Sequence, residues 1–338
     1  MSRFRLCLAS ALVALSALVA WACVAPAATP TPIATPTPTA APTPTLTPTP
    51  APTATPTPPL FPMTMTDSLG RKSTIATAPR RIVSLAPSNT EVLFAVGAGD
   101  LVVGVTKFCN YPAEARAREQ VGGFSAKTIS VEKVVSLKPD LVFSAGKIQQ
   151  PVIEALEQAG IPVVSLDANS FNEVYANIEL VGRVTGRQQE AARVVGEMKE
   201  RVAQVQKKAA GVPKEKRLAV FYEVWDEPLM TAGPGTFIGQ MIDLAGGVSV
   251  FSDVTESWPQ VSAEEVVKRN PAVILGPDTH GDKLTPEKVA QRSGWSRIGA
   301  VSSGRIYLLN GDIISRAGPR LADGLEAVAK ALYPELFP

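Results

Sequence analysis

The chain has 338 residues, of which 45% are hydrophobic, so it is long enough for two domains of ordinary size. Its 33 basic and 31 acidic residues are well mixed and give a formal net charge of +2, which excludes the basic stripe typical of nucleic-acid-binding proteins. Two of the three cysteines lie near the N-terminus. The remaining one, Cys109, has no partner for an internal disulfide, and with the single histidine, His280, it is too small a set for a zinc site.

The first residues have the pattern of an export signal. Two arginines precede an uncharged apolar run over residues 6–20, which is typical of a signal peptide, here assigned to residues 1–22. The segment resembles a bacterial lipoprotein signal, and the resemblance implies that Cys23 is lipidated and becomes the new N-terminus. Ala20 departs from that pattern, which has a large aliphatic residue there, and an uncleaved membrane anchor is the alternative. Both alternatives predict an exported protein that is tethered to the outer face of the cytoplasmic membrane.

Residues 23–62 consist mainly of Pro, Thr and Ala. Repeated Thr-Pro steps lack the donors for regular pairing and cannot form a core, so this segment is predicted to be a disordered stalk. An extended spacer of this type covers ~3 Å per residue, which gives a reach on the order of 100 Å. Such a length suggests that the folded part reaches across a wall layer or up to a membrane partner.

The folded part begins with the pattern of a β-hairpin. Residues 63–75 alternate between apolar and polar on both sides of a turn at residues 67–70. A buried strand is predicted at residues 81–85, and Ser88 to Glu91 has the spacing of a capping box that opens a helix. Further strands are predicted at residues 101–105, and helices continue to alternate with short apolar strands. This alternation is typical of βα units with a parallel sheet.

One phrase occurs twice, at residues 130–142 and again at residues 262–274. A serine, a glutamate, two valines, a proline and an apolar pair recur at one constant offset. Each copy predicts a helix start, a short helix, a proline stop and a buried strand. A repeat of about domain size implies two similar lobes with a cleft between them.

A long amphipathic helix is predicted at residues 188–210, where no proline interrupts the apolar positions at helical spacing. We therefore divide the folded part into an N-terminal lobe at residues 63–182, a linking backbone helix at 183–212 and a C-terminal lobe at 213–338. A single stiff helix between the lobes predicts small lobe motions rather than wide hinge closure. The predicted fold class is α/β, with two similar lobes, each a mostly parallel sheet flanked by helices, and a ligand cleft between the lobes.

The whole of residues 63–338 resembles the substrate-binding proteins of ABC importers, in the class with a single helical backbone that carries vitamin B12 or ferric siderophores. The motifs that carry this resemblance are the entrance hairpin, residues 79–91 and residues 138–142. The aromatic loop at 108–112 and the tryptophan motif at 258–262 are closest to the cobalamin-binding branch. The resemblance implies a monomer that delivers a small molecule to an ABC permease dimer with its ATPase subunits. It implies no catalytic activity and no nucleic-acid partner.

A corrinoid is a broad, flat macrocycle fringed with amides, so its site needs aromatic faces and a few neutral hydrogen-bonding groups. Loops at the ends of parallel strands are the expected place for such a site. The alternative for the aromatic residues is core packing, and the alternative for the acidic residue is a turn position. The predicted ligand-binding residues are Phe108, Tyr111, Phe124, Tyr222, Trp225, Trp258 and Asp312.

Two observations keep a ferric siderophore or haem open as the alternative ligand. These ligands are usually anionic and favour clustered arginine or lysine. Four candidate cations are present, but they are scattered through the loops, so this ligand class stays the second choice. The chain also has Ala145 and Gly146 after the predicted third strand, where a member of the resembled family carries aromatic residues. The candidate cations are Lys107, Lys147, Arg316 and Arg320.

Glu132 and Glu264 occupy equivalent positions in the two copies of the repeat, in the first turn after a serine N-cap. The helix dipole alone favours a negative charge there by ~0.3–1 kcal/mol, which is one explanation for them. The resemblance implies another, in which one glutamate on each lobe docks into a basic pocket of the dimeric permease.

An enzyme on the same scaffold is a competing class of function, but the chain has no nucleophile elbow, Walker loop or metal motif. His280 lies in a polar loop and is read as solvated. A tethered sensor or scavenger without a permease is the third alternative.

Overall fold

The computed structural model describes residues 61–278 and 285–338. The predicted signal peptide, Cys23, the stalk up to residue 60 and His280 lie outside the described residues. Within the described ranges, no helix combines the length and the apolar composition that a bilayer span requires.

The elements alternate along the chain as the sequence predicts. The strands are β1 (Met63–Thr66), β2 (Lys72–Ile75), β3 (Ile82–Ser84), β4 (Val102–Val105), β5 (Glu119–Gln120), β6 (Leu141–Ser144), β7 (Val163–Ser165), β8 (Ala219–Asp226), β9 (Leu229–Thr231), β10 (Val248–Ser249), β11 (Val273–Pro277) and β12 (Ile306–Leu309). The helices are α1 (Pro87–Ala95), α2 (Val131–Ser136), α3 (Gln150–Gln158), α4 (Phe171–Thr185), α5 (Gln188–Ala209), α6 (Phe237–Leu244), α7 (Ala263–Arg269), α8 (Pro286–Gln291), α9 (Gly299–Ser302), α10 (Gly311–Ile314) and α11 (Leu321–Leu332). Short 3₁₀ turns span Gly99–Leu101, Ala113–Ala117, Gly146–Gln149, Lys214–Lys216 and Trp295–Arg297.

Each lobe is built on its own sheet, which confirms the predicted fold class. In the N-terminal lobe the strand order is β5-β4-β3-β6-β7, and every neighbouring pair is parallel. In the C-terminal lobe the order is β10-β8-β11-β12, again parallel, with β9 added antiparallel to β8. The predicted entrance hairpin is also present, since β1 pairs antiparallel with β2. Strands β3, β6, β7 and β11 are buried along their whole length, whereas the edge strand β5 is exposed.

The sequence repeat corresponds to a structural repeat. Ser130 Oγ accepts a hydrogen bond from the Lys133 N–H at 3.2 Å, and Ser262 Oγ accepts one from the Glu265 N–H at 3.1 Å. The repeat helices α2 and α7 then lead into β6 and β11, which pair with the first central strand of each lobe, β3 and β8. The duplication therefore places the same helix and strand at the same position in both sheets.

The connection between the lobes is helical, as predicted, but it is broader than a single helix. Helix α5 spans Gln188–Ala209, and it packs against α1 of the N-terminal lobe and against α6 and α11 of the C-terminal lobe. Helix α4, which the sequence analysis did not predict, packs along α5. One continuous cluster of buried side chains runs from the N-terminal lobe through these helices into the C-terminal lobe. The exact limits of the three predicted segments remain predictions.

The predicted capping box at Ser88 to Glu91 is wrong. Helix α1 already begins at Pro87 after an extended Ala86, and no side chain caps it. Proline is well suited to the first helical position because its missing N–H would have no helical partner there. Residues 88–91 therefore lie inside the helix, and Glu91 is buried rather than folded back on the backbone.

Candidate ligand-binding cleft

A cavity of about 660 Å³ lies between the two lobes. Its walls are formed by the segments that follow β3, β4, β5, β6 and β7 on one side and β10 and β12 on the other, together with side chains of β8, β11 and α6. These segments all lie at the carboxyl ends of parallel strands, where open α/β sheets bind their ligands. The cavity is therefore where the topology predicts a ligand site.

Aromatic side chains from both lobes line the cavity. Phe108 and Phe124 come from the N-terminal lobe, and Phe237 and Trp258 from the C-terminal lobe. The rings of Phe237 and Trp258 pack edge to face with centroids 6.1 Å apart, so the buried Phe237 supports the more exposed indole. Phe108 is 47% exposed, so its ring is accessible from the cavity. These faces suit a flat, apolar ligand.

Tyr222 forms part of the cavity wall with a buried side chain. Its hydroxyl makes no hydrogen bond of good geometry within the described residues, although the Ser315 hydroxyl lies beside it. Burial raises the pKa of Tyr222 far above its ordinary value, so the phenol stays protonated and can donate a hydrogen bond. A buried hydroxyl without a well-placed partner is costly, and a ligand atom or an ordered water can satisfy it.

The other polar groups of the wall are mostly neutral. Amide and hydroxyl side chains reach the cavity from both lobes, and they can both donate and accept hydrogen bonds. Asn89 also holds the wall together, because its amide donates to the Ser144 carbonyl at 2.9 Å. The neutral polar residues of the wall, apart from Tyr222, are Ser88, Asn89, Asn169, Asn177 and Ser315.

Three charged side chains line the cavity among the described residues: Asp167, Asp312 and Arg316. Burial raises the pKa of the Asp167 carboxyl above its ordinary value. Asp312 Oδ2 accepts a hydrogen bond from the Asn110 side-chain amide at 2.7 Å, and Asp312 Oδ1 is paired with Arg316 Nη2 at 2.6 Å. Asp312 therefore joins the two lobes at the edge of the cavity.

Behind this wall, Glu91 of the N-terminal lobe pairs with two arginines of the C-terminal lobe. Its carboxylate accepts hydrogen bonds from Arg320 Nε and Nη2 at 2.8 and 2.6 Å and from Arg316 Nη1 at 2.9 Å. The Arg320 guanidinium also stacks on the Tyr111 ring, 4.0 Å from its centroid. Glu91 is only 2% exposed, so the carboxylate at the centre of this inter-lobe network is almost completely removed from water.

The structure brings five of the seven predicted ligand-binding residues together at the cavity: Phe108, Phe124, Tyr222, Trp258 and Asp312. Tyr111 and Trp225 are not part of the described wall. One face of the Tyr111 ring lies against Arg320, although the residue is 47% exposed. Trp225 lies at the β8–β9 hairpin, where its indole N–H donates to the Glu227 carbonyl at 2.9 Å. Contact of these two side chains with a ligand stays a prediction, and it requires a ligand that extends beyond the wall.

Glu132 and Glu264 lie on α2 and α7, the equivalent helices of the two lobes, and both are exposed. Within the described parts of the chain neither carboxylate takes part in an ion pair, whereas Glu265, next to Glu264, is paired with Arg269 at 2.8 Å. Their role in docking remains a prediction.

The part that Glu91 and Asn110 play in the cleft is not among the predictions from the sequence. Both contact residues that are more than two hundred positions away in the chain, Arg316 and Arg320 for Glu91 and Asp312 for Asn110. One signal for Glu91 was available, since the apolar residues 92–94 follow it directly and a carboxylate there requires a buried partner.

Within the described ranges, no group of three or more His, Cys, Asp or Glu side chains could hold a metal ion. The cavity presents ring faces, neutral hydrogen-bonding groups and three charged side chains, of which Arg316 and Asp312 are paired with each other.

Comparison with known proteins agrees with this architecture. The model of the periplasmic binding protein family matches residues 82–313. The chain belongs to the periplasmic binding protein family. It is 40% identical, over 82% of its length and 88% of the relative, to an uncharacterised ABC transporter substrate-binding lipoprotein of Bacillus subtilis.

Two further similarities concern named or solved relatives. A cobalamin-binding protein of Halobacterium salinarum is 34% identical, over 81% of this chain and 74% of the relative. A crystal structure of a possible iron-binding (periplasmic solute-binding) protein from Staphylococcus epidermidis is 32% identical, with a TM-score of 0.66, and covers 76% of this chain and 100% of its own.

Proposed function

We propose that the chain captures a corrinoid of the vitamin B12 type between its two lobes and passes it to the permease of an ABC importer. The observation that carries this proposal is the composition of the cavity wall. Aromatic faces from both lobes line the cavity together with amide and hydroxyl groups, and the arginine of the wall is already paired with carboxylates. A flat macrocycle with an amide fringe and no net charge matches such a wall. The cobalamin-binding relative supports the same ligand class.

The broader role follows from membership of the family. The chain is an extracytoplasmic substrate-binding protein of an ABC transporter, and it is a transport component rather than an enzyme. The corrinoid is the finer part of the proposal. The alternative is a ferric siderophore or haem, and the similarity to the possible iron-binding protein of Staphylococcus epidermidis favours it.

Titration of the purified full-length chain in detergent distinguishes these ligands. Cyanocobalamin and a ferric siderophore are added separately, with heat and visible absorbance as the two readouts. Saturable binding of cyanocobalamin, with little or none of the iron chelate, is expected. Binding of the chelate without binding of cyanocobalamin would replace the corrinoid with the alternative.

Delivery is proposed to use Glu132 and Glu264. They are exposed, each stands at the start of a repeat helix on a different lobe, and no ion pair within the described residues holds either one back. A dimeric permease offers two equivalent surfaces, so one acidic contact per lobe fits a monomer docked onto a dimer.

Attachment to the membrane is proposed to occur through lipid on Cys23. The Bacillus subtilis relative is named a lipoprotein, and the leader of this chain has the basic and apolar regions of a signal peptide. Replacement Cys23→Ala should release the protein from the membrane fraction or leave the leader uncleaved. The two alternatives differ in the wild type, whose leader is cleaved if Cys23 is lipidated. If the leader stays attached in both the wild type and the variant, and both remain membrane-bound, the leader is an uncleaved anchor.

A further inference from the structure

The one cation of the described cavity wall already pairs with carboxylates of the protein. Arg316 is the only arginine or lysine among the described residues that line the cavity. Its Nη1 donates to Glu91 at 2.9 Å and to the Asn110 side-chain oxygen at 2.7 Å, and its Nη2 donates to Asp312 at 2.6 Å. The guanidinium charge is therefore neutralised by Glu91 behind the wall and by Asp312 within it.

The charges of this cluster balance. Glu91 and Asp312 supply two carboxylates, and Arg316 and Arg320 supply two guanidiniums. Glu91 is the central member because it binds both arginines, and it is the most buried of the four. Burying a carboxylate costs desolvation free energy, so the position of Glu91 behind the cavity wall calls for an electrostatic explanation.

We propose that Glu91 is a specificity-determining residue that keeps Arg316 and Arg320 neutralised and so makes the cavity prefer neutral macrocycles over anionic ones. The inference deepens the proposed function, on which it rests for the identity of the natural ligand as a neutral macrocycle. It assigns Glu91 a role through Arg316, because Glu91 itself does not line the cavity.

Replacement Glu91→Gln removes the charge and keeps the size and an acceptor oxygen. The cluster then carries one uncompensated positive charge directly behind the wall. A carboxylate of a bound ligand gains a charge-assisted interaction with Arg316, which in a partly buried site changes affinity on the order of tenfold. A neutral ligand gains nothing from the same change.

The matched probes are haemin and its dimethyl ester, which share one macrocycle and differ in their two carboxylates. The full-length chain in detergent is titrated with each, and the ratio of the two affinities is compared between variants. Because both probes carry the same iron and ring, contacts with those parts cancel in the ratio. The expected result is a rise of about tenfold in the haemin-to-ester ratio for Glu91→Gln.

Two further variants make the comparison specific. Glu223 is an equally buried glutamate that binds Arg292 through two oxygens, at 2.5 and 2.7 Å, but neither residue lines the cavity. Glu223→Gln makes the same change of charge and should leave the ratio unchanged. Adding Arg316→Gln to Glu91→Gln should return the ratio to the wild-type value.

The proposal is overturned if folded Glu91→Gln protein keeps the wild-type ratio, if it binds no haemin, or if Glu223→Gln raises the ratio equally. An equal loss of affinity for both probes gives an unchanged ratio and means that the network only holds the lobes together. If circular dichroism shows that Glu91→Gln does not fold, Asp312→Asn is tested instead. Asp312 lies at the more exposed end of the cluster, and this variant should also raise the ratio. An unchanged ratio in that variant also overturns the proposal. Failure of the wild type to bind cyanocobalamin would remove the proposed ligand but leaves this ratio test intact.

Discussion

Glu91 and Arg320 form a two-point ion pair between the lobes, with Arg320 Nε and Nη2 at 2.8 and 2.6 Å from the two carboxylate oxygens. The two residues are separated by 229 positions in the sequence. The Glu91 side chain is 1% exposed and the Arg320 side chain 17% exposed. Removing one partner of such a pair leaves a buried charge without compensation.

Replacement Glu91→Ala is therefore expected to lower the free energy of unfolding by about 3–5 kcal/mol. The measurement is urea unfolding followed by circular dichroism. The control is Glu326→Ala, which removes a partner of Arg201 from an ion pair with both side chains more than one third exposed. That change should cost less than about 1 kcal/mol. Equal effects of the two variants would show that the inter-lobe pair is no stronger than a surface contact.

Trp258 and Trp225 provide a matched pair for the ligand site. They are exposed to similar degrees, 37% and 42%, but only Trp258 lines the cavity. Replacement Trp258→Ala should weaken cyanocobalamin binding at least about tenfold, because it removes a ring face that a flat ligand covers. Trp225→Ala should change the affinity by less than about threefold. Calorimetric titration measures both, and a larger loss with Trp225→Ala would restore the sequence-based assignment of Trp225 to the site.

The docking proposal separates transport from binding. The double variant Glu132→Ala with Glu264→Ala is expected to abolish corrinoid uptake by cells and leave the ligand affinity of the purified protein intact. The control double variant changes Glu119 and Glu265, which are also on the two lobes but are paired with Lys133 and Arg269. It should retain uptake. Normal uptake by the first variant would contradict docking and favour a purely local role at the helix starts.

Both repeats have a strained backbone at one equivalent position, but they carry different residues there. Lys138 and Asn270 occupy equivalent places before a proline, and both have positive φ, 48° and 46°. Asparagine tolerates this left-handed conformation better than lysine does. Copying the second repeat into the first by Lys138→Asn should raise the free energy of unfolding by about 0.5–1 kcal/mol.

The reverse change provides the control for that prediction. Asn270→Lys should destabilise by more than Lys138→Asn stabilises, because Asn270 Oδ1 also accepts a hydrogen bond from the Gly299 N–H at 2.8 Å. Urea unfolding measures both variants. A loss of stability in Lys138→Asn would mean that the lysine side chain contributes more than the backbone strain costs.

Features that depend on neighbouring residues could be predicted from the sequence. The serine caps of α2 and α7, the proline stops and the buried strands of both lobes all follow from patterns only a few residues long. The repeat then gave the two-lobed architecture, because equal local patterns fold into equal units. Helix α4 had the same kind of signal, since Ser170 caps it and Glu173 Oε2 accepts from the Asn169 N–H at 2.6 Å, and it could have been predicted.

The inter-lobe network could not be predicted in the same way. The spacing of Ser88 and Glu91 matches a capping box, and only the tertiary structure offers Glu91 two arginines as stronger partners. Likewise, nothing in the local sequence distinguishes the indole of Trp258, which faces the cavity, from that of Trp225, which lies at a hairpin. The charge and the ring faces of the cleft are set by contacts between distant segments.

We expect the buried thiol of Cys109 to lower the stability of the fold at alkaline pH. Its thiol is buried, with Sγ at 3.1 Å from Thr90 Oγ1 and 3.2 Å from Thr106 Oγ1, and burial raises its pKa above the ordinary value of 9.0. Above pH 9.0 the thiol of the unfolded chain loses its proton while the native thiol keeps it. The unfolded state then binds fewer protons, so stability falls as pH rises.

The test compares the wild type with Cys109→Ala in urea unfolding experiments from pH 7 to pH 10.5. The difference in unfolding free energy between the two proteins isolates the thiol, since all other titrating groups are common to both. That difference should be constant up to about pH 9 and then shrink by up to about 1.4 kcal/mol per pH unit. A difference that stays constant to the end of the range would mean that the native thiol ionises as readily as the unfolded one, and that burial of Cys109 does not disfavour its thiolate.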